Sequence, residues 1–160
     1  NRYPDIMNAM KRESIYLDTS VPSAYFDSRA QERLDLTRKF WNETLPRYSV
    51  YISELVLGEI GDTQDQKTKT DMLNLVSQCT VLKIDAEVEN LAEAYLAHNL
   101  LPEKYRSDAL HIAVGSCNAI SYLISWNFEH IVKVRTRRVV NLINALQGYK
   151  DIEIVSPQEL

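Results

Sequence analysis

Residues that favour strands occur in short runs, which alternate with longer stretches whose apolar residues recur at helical spacing. The short runs predict strands at residues 14–18, 49–53, 80–84, 120–125 and 152–155. The longer stretches predict helices at residues 33–44, 67–76, 86–100 and 138–146, with Gly148 as the C-cap of the last one. Strands that alternate with helices in this way are typical of an α/β fold with a parallel sheet.

Residues 109–126 form a segment without a single Asp, Glu, Lys or Arg. Its length approaches that of a membrane span, which needs about 20 apolar residues. However, the polar residues His111, Ser116, Asn118 and Ser121 interrupt it. We therefore predict a buried helix that ends in a turn at Asn118 and is followed by a buried strand, and we predict no membrane partner.

The bulk composition is that of one globular domain, with 160 residues, 45% of them hydrophobic and 25% charged. Residues 1–13 are polar and predict a leader or an expression remnant, and residues 14–160 predict the domain. The net charge of −4 argues against a protein that coats DNA or an anionic membrane. It does not exclude a nuclease, because bound cations reverse the local sign of a carboxylate site.

Two cysteines, Cys79 and Cys117, lie far apart and outside any CxxC pattern. This spacing predicts free, buried thiols in a reducing cytoplasm rather than a zinc site or a disulfide framework. The chain has only four glycines, and none of them form a phosphate-binding loop. Nucleotide binding through a glycine-rich cradle is therefore not expected.

Acidic residues occur next to several predicted strands and helix starts. In open parallel sheets, ligands bind beyond the carboxyl ends of the strands, so these positions matter. Asp18 ends the first strand, and Asp108 opens the apolar helix, with Ser107 as its expected N-cap. Glu59 flanks the apolar stripe of the helix that begins after Ser53, where an unpaired carboxylate is costly. We predict that Asp18, Glu59 and Asp108 converge at one edge of the sheet.

Other polar residues near this edge have simpler interpretations. Glu54 lies in a first helical turn, where a negative charge suits the helix dipole, and Asp85 is the expected N-cap of the helix after it. His111 is predicted to be a buried core residue rather than a ligand. Asn127 follows the fourth strand and offers a neutral oxygen to a hard cation, and Glu129 lies close behind it.

Three carboxylates at one sheet edge suit a hard divalent cation. Mg²⁺ and Mn²⁺ prefer oxygen ligands, and Mg²⁺ sites use few carboxylates and keep several waters. Such a site lowers the pKa of bound water for attack on a phosphodiester. We therefore expect Asp18, Glu59 and Asp108 to bind Mg²⁺ or Mn²⁺, with Asn127 as a fourth catalytic position.

Four segments of the sequence together resemble the PIN domain, and most closely the VapC-type toxins of bacterial toxin–antitoxin pairs. The segments are YLDTS at residues 16–20, SELVLGEI at 53–60, SDALHIA at 107–113 and LISWNFEH at 123–130. The resemblance extends over nearly the whole chain, from Ser14 to Leu160. Each segment is weak alone, and their order and spacing make the set specific.

The resemblance implies a single PIN-like domain with a five-stranded, mainly parallel sheet flanked by helices. It further implies a metal-dependent ribonuclease that forms a homodimer and is neutralised by a cognate antitoxin. The first three acids of the family match Asp18, Glu59 and Asp108, and the hydroxyl residue before the fourth acid matches Ser125. The fourth acid itself falls on Asn127, so the chain departs from the family pattern there.

Supporting roles also follow from the resemblance and from charge. Thr19 and Ser20 match the hydroxyl residues that follow the first acid and are expected to orient Asp18 or a bound water. Glu129 is expected to contribute through water or by reorientation. RNA binding needs positive charge near the metal, and a basic cluster follows the fourth motif. We expect a phosphate clamp from Lys133, Arg135, Arg137 and Arg138.

Two further functions compete with an endoribonuclease. One is a PIN-like module that has been weakened catalytically at the fourth position and only binds RNA or a protein partner. The other is a phosphatase of the haloacid-dehalogenase type, in which an acid also ends the first strand. That chemistry needs a second acid two residues on, and this chain has Ser20 there, so the phosphatase is the least favoured of the three.

Overall fold

A computed structural model describes residues 12–98 and 102–160 of the chain. Most of the predicted leader, residues 1–11, lies outside the described residues, and so does the end of the predicted helix 86–100 from residue 99 onwards. The prediction that residues 1–13 form a separate leader therefore stays a prediction.

Five strands form one sheet, in which every pair of neighbours is parallel. The strands are β1 Ser14–Leu17, β2 Ser49–Ser53, β3 Thr80–Leu82, β4 Tyr122–Ile124 and β5 Glu153–Val155. The α/β fold and its five strands are confirmed. Three of the strands, β1, β3 and β4, end earlier than the sequence pattern predicts, although the Asp18 and Ser125 N–H groups still donate to the neighbouring strand.

Helices connect the strands and cover the sheet: α1 Ser20–Ala24, α2 Gln31–Lys39, α3 Glu54–Gly61, α4 Gln66–Val76, α5 Ala86–Ala97, α6 Arg106–Cys117 and α7 Val134–Gln147. A π-helical turn, Phe40–Thr44, continues α2, and short 3₁₀ turns occupy Leu45–Arg47 and Glu103–Tyr105. Helix α7 begins at Val134, earlier than predicted. The prediction missed the first turn because that turn is basic, whereas first turns usually carry acids that suit the helix dipole. Gly148 ends it at φ 84°, as predicted.

Helix α6 is the buried central helix that its uncharged sequence predicts. Ala109, Ile112, Ala113 and Val114 are all fully buried in the core. The chain then turns at Asn118 and Ala119 and enters β4, which confirms a helix followed by a strand. Along the parts of the chain that the structure covers, no helix combines the length and apolar character that a bilayer crossing needs.

The order of the strands is β3-β2-β1-β4-β5, so the chain winds outwards in two directions from β1. The connections from β1 lead to β2 on one side, whereas β4 lies on the other side. The carboxyl ends of β1 and β4 therefore flank the point where the strand order reverses. In open α/β sheets this crevice is where ligands bind.

Candidate active site

Asp18 lies in the crevice between the carboxyl ends of β1 and β4, and only 4% of it is exposed. Its Oδ2 accepts a hydrogen bond from Ser125 Oγ at 2.5 Å. Its Oδ1 accepts from the Ser20 backbone N–H at 3.1 Å and from the Ser20 hydroxyl. Burial raises the pKa of Asp18, and the nearby His111 and these hydroxyls oppose that rise. A buried carboxylate with a raised pKa is stabilised by a cation beside it.

The two serine hydroxyls also tie β1 to the end of β4. Ser20 Oγ accepts a hydrogen bond from the Trp126 backbone N–H at 2.9 Å. Ser125 Oγ accepts one from the Asn127 backbone N–H at 2.9 Å. The position of Asp18 is therefore fixed by the loop that follows β4, and both serines have the supporting geometry that the sequence predicted.

Glu59 projects from α3 and is half-buried. Its Oε1 accepts hydrogen bonds from Thr19 Oγ1 at 2.8 Å and from His111 Nε2 at 2.6 Å. Its Oε2 accepts one from Ser107 Oγ at 3.3 Å. Burial alone would raise the pKa of Glu59, but the His111 hydrogen bond and charge, with the hydroxyls, bring it below its ordinary value. Glu59 is thus held ionised.

Asp108 lies in the first turn of α6 and is half-buried. Burial raises its pKa, the imidazoles of His111 and His130 lower it, and the charges of Asp18 and Glu59 raise it further. Asp108 is therefore close enough to Asp18 and to Glu59 for their charges to act on it. Repulsion of this kind is the electrostatic condition that a divalent cation relieves.

The structures of several VapC and related proteins share this architecture, although the sequence matches no family model and no curated protein. VapC20 of Mycobacterium tuberculosis, described as a sarcin–ricin loop cleaving toxin, superposes with a TM-score of 0.57 at 19% identity. That match covers 87% of this chain and 98% of VapC20. The fold is that of a VapC-type PIN domain.

Two other matches agree. FitAcB of Neisseria gonorrhoeae matches at 15% identity with a TM-score of 0.58, over 91% of this chain and 99% of that chain. VapBC-5 of M. tuberculosis, a member of the VapBC family of toxin–antitoxin systems, matches at 17% identity with a TM-score of 0.50. The match to VapBC-5 covers 89% of this chain and 98% of that chain. At these sequence identities, the likeness establishes the VapC-type fold. The assignment of a site depends on the residues of this chain.

Asn127, which the sequence resemblance matches to the fourth acid, has its side chain turned towards its own loop. Its Oδ1 accepts a hydrogen bond from the His130 backbone N–H at 3.0 Å. Its backbone oxygen accepts from the N–H groups of Ile131 and Val132. Asn127 therefore organises the turn after β4. The Glu129 side chain is 81% exposed, and its Oε1 lies 3.5 Å from His130 Nε2.

Two hydroxyl residues differ in role from their sequence-based interpretation. Ser107 is not the N-cap of α6, because the preceding 3₁₀ turn continues into a helix that begins at Arg106. Its hydroxyl is thereby free to donate to Glu59. Thr19, which was expected to orient Asp18 or a bound water, instead donates to Glu59. The second acid thus has more hydroxyl partners than the sequence suggests.

The structural interpretations of Glu54 and Asp85 are confirmed. Glu54 lies in the first turn of α3, and its Oε2 accepts from the Ile84 backbone N–H at 3.0 Å. Asp85 caps α5 by accepting from the Val88 N–H at 3.1 Å. Cys79 and Cys117 are free, as predicted, although both are half-buried rather than buried.

The basic cluster at the start of α7 is only partly available. Lys133, Arg135 and Arg138 are exposed. Arg137, in contrast, is half-buried and pairs with Glu159 at 3.2 Å. The exposed members lie on the segment that follows the Asn127 turn, so they lie on the carboxyl side of β4.

Tyr16 and His111 form a buried chain of hydrogen bonds behind Glu59 that the sequence did not reveal. The Tyr16 hydroxyl lies 2.8 Å from Ser53 Oγ and 2.7 Å from His111 Nδ1. An ionised Glu59 only accepts hydrogen bonds, so His111 Nε2 carries a hydrogen. Nδ1 donates to the Tyr16 hydroxyl when His111 is charged and accepts from it when His111 is neutral, and the Tyr16–Ser53 hydrogen bond adjusts its direction accordingly. Tyr16 and His111 are therefore positioning residues that hold Glu59 in place.

Replacing Tyr16 by phenylalanine is expected to reduce divalent-metal affinity or cleavage about 10–100-fold, the usual effect of losing a partner of a ligand. The ring still fills the core, but Ser53 and His111 lose their buried partner. The ¹⁵N chemical shift of His111 Nδ1 is expected to change, because that nitrogen loses its hydrogen-bond partner.

The matched control is Tyr95→Phe. Tyr95 is also fully buried, and its hydroxyl bonds Asn144 at 2.5 Å, away from the acids. Both variants are expected to lose about 1–3 kcal/mol of stability. Only Tyr16→Phe should impair metal binding, so equal activity in the two variants would contradict the positioning role.

Proposed function

We propose that this chain is a metal-dependent endoribonuclease that hydrolyses RNA phosphodiester bonds as the toxin of a toxin–antitoxin pair. One observation carries the proposal: Asp108 lies close enough to Asp18 and Glu59 for their charges to raise its pKa, at the strand-order reversal of a VapC-type fold. The catalytic role of each acid is part of the proposal.

The donor set fits a hard cation in its chemistry and charge. Asp18, Glu59 and Asp108 offer carboxylate oxygens, which Mg²⁺ and Mn²⁺ prefer. In residues 12–98 and 102–160, no group of three or more His, Cys, Asp or Glu side chains has its ligand atoms already gathered for a metal. We infer that Glu59 either gives up some of its present hydrogen bonds to bind a metal directly or interacts with the metal through an intervening water molecule. A bound divalent ion supplies an activated water and stabilises negative charge on phosphate oxygens.

The residues of the chain have distinct parts in this proposal. Asp18 and Asp108 would be the direct ligands, since burial raises the pKa of both and the charges of Asp18 and Glu59 add to the rise at Asp108. Ser20 and Ser125 keep the Asp18 carboxylate oriented, and His111 keeps Glu59 ionised. The hydrogen bonds to Asp18 and Glu59 restrict both side chains before substrate arrives, and such restriction reduces reorganisation during reaction.

RNA is the proposed substrate, and a cognate antitoxin is the proposed partner. The solved relative VapC20 is described as cleaving the sarcin–ricin loop, and VapBC-5 belongs to a toxin–antitoxin family. The exposed Lys133, Arg135 and Arg138 supply positive charge for the phosphate backbone. A homodimer and a cytoplasmic location stay predictions.

A specific observation supports the second candidate, a PIN-like module that binds without cleaving. Asn127 supplies no charge at the fourth position, and its side-chain oxygen already accepts from the His130 N–H. Loss of that charge weakens the hold on a second metal ion. A module of this kind would bind RNA or an antitoxin peptide and release no products.

Incubation of purified protein with structured RNA tests the two candidates. We expect discrete cleavage products in Mg²⁺ or Mn²⁺, no products in EDTA, and full recovery when excess metal is restored. Products that form equally well in EDTA would contradict metal dependence. Binding of RNA with no products at any metal concentration would establish the non-cleaving module instead.

A further inference from the structure

A pocket of about 380 Å³ opens at the carboxyl edge of the sheet, beside the proposed active site. Its walls come from Trp126 and Phe128 after β4, from Gln31 and Arg33 at the start of α2, and from Gln158 after β5. All of these segments lie where strands end and helices begin. The pocket therefore faces the same side of the sheet as the three acids.

The wall of this pocket is tied to the first acid by two hydrogen bonds. The Trp126 backbone N–H donates to Ser20 Oγ at 2.9 Å, and the Ser20 hydroxyl donates to Asp18. The Trp126 indole N–H donates to Thr37 Oγ1 at 2.9 Å, which fixes the ring against α2. The Trp126 wall of the pocket is thus connected to Asp18 through one residue, Ser20.

The pocket has an exposed aromatic platform. Phe128 is 48% exposed and meets the Trp126 ring edge-on, with centroids 6.0 Å apart at 65°. The Arg33 guanidinium lies 5.2 Å from the centre of the Trp126 ring. An exposed phenylalanine beside a planar guanidinium is suited to stack a flat, polarisable ring.

The polar groups at the rim suit a neutral ligand rather than a phosphate. Arg33 is balanced by Glu32 on the same rim, so the pocket carries no excess of positive charge. The Gln31 side-chain N–H donates to Asp35 at 2.9 Å, which leaves its oxygen as an acceptor for a ligand. Gln158 adds an amide that both donates and accepts. A nucleobase is a flat ring with hydrogen-bond donors and acceptors on its edge, so it matches the aromatic and polar groups of this pocket.

We propose that this pocket is a nucleobase subsite that holds an unstacked base next to the scissile phosphate. The inference rests on the proposed function, since it gives the RNA nuclease a site for one of its bases. Phe128 stacks the base, and Arg33 with Gln31 and Gln158 contacts its edge. The preferred substrate is then RNA with a single-stranded or splayed-out base at the cleavage site.

Binding of AMP, GMP, CMP and UMP to the metal-free wild-type protein tests the subsite without any cleavage. The indole N–H signal of Trp126 reports binding, and Trp41→Phe assigns it, because the chain has 2 tryptophans. We expect a saturable shift with at least one nucleotide. Affinity should fall about tenfold in Phe128→Ala and recover in Phe128→Tyr, since stacking needs a ring.

Leu146→Ala is the matched control, because Leu146 is 73% exposed on α7 and does not line the pocket. It should bind nucleotides as the wild type does. No shift with any nucleotide, or equal affinity in Phe128→Ala, would overturn the subsite. A shift that arises only with an antitoxin peptide would also overturn it and assign the surface to a protein.

Cleavage kinetics separate the subsite from the proposed function. In the RNA assay, Phe128→Ala is expected to raise KM about tenfold with little change in kcat. Normal KM in that variant would reject the subsite while the nuclease stands. Nucleotide binding in a protein that cleaves no RNA would support the subsite and reject the nuclease.

Discussion

Replacing Asp18 by asparagine is expected to reduce RNA cleavage by at least about 10³-fold. A divalent cation supplies several kcal/mol of transition-state stabilisation, and each ~1.4 kcal/mol is a factor of ten in rate. Asparagine retains the shape of the side chain but removes the charge and one acceptor.

The control for this variant is Asp151→Asn, which makes the same chemical change at an exposed acid before β5, near the amino end of that strand. Initial cleavage rates at saturating Mg²⁺ should be unchanged in the control. Thermal unfolding checks that both variants are folded. Near-normal cleavage in folded Asp18→Asn would remove Asp18 from the site.

Replacing Asp108 by asparagine is expected to abolish cleavage and yet to stabilise the metal-free fold. Burial and the charges of Asp18 and Glu59 raise the pKa of Asp108, so its ionised form costs folding free energy at neutral pH. Solvent screens part of this cost at a half-buried site, so the gain should stay below about 1 kcal/mol. That corresponds to a rise in Tm of up to about 2–4 °C.

The effect of pH distinguishes this explanation from a change in packing. A carboxyl whose pKa is raised on folding destabilises the fold increasingly as the pH rises from its ordinary pKa through the raised value. The Tm difference between Asp108→Asn and wild type should therefore be small in acid and largest at neutral pH. Saturating Mg²⁺ should raise the Tm of wild type only. A variant less stable than wild type at neutral pH would contradict the mutual repulsion of the acids.

The sequence alone predicted the layout of the fold well, because periodicity depends on local patterns. The five strands, the buried helix α6 and the Gly148 cap all follow from such patterns. Helix boundaries were predicted less accurately where a short turn continues directly into a helix. Helix α6 begins at Arg106 because a 3₁₀ turn leads into it, and no residue-type preference at Ser107 reveals that continuation.

The site was only partly predictable, because its acids are marked by their positions after strands whereas their partners are not. Asp18, Glu59 and Asp108 could be inferred together, and in the structure the charges of Asp18 and Glu59 act on Asp108. The partnership of Tyr16 with His111 joins residues that are 95 positions apart in the chain. His111 lies one turn beyond Asp108 on α6. That spacing was the one feature of the sequence that could have indicated a role for His111 beside the acids. Asn127 is the opposite case. From the sequence, its side-chain oxygen was expected to be available to a metal, but in the structure that oxygen accepts a hydrogen bond within the turn.

A titration with Mn²⁺, in which EPR measures the free ion, tests most directly whether the three acids share one cation site. We predict saturable binding to the wild-type protein that Mg²⁺ displaces. Binding should be strongly weakened in Asp18→Asn and in Asp108→Asn, and it should be unchanged in Asp151→Asn. Equal binding in all four proteins, or RNA cleavage by a wild-type protein that binds no Mn²⁺ or Mg²⁺, would contradict the account.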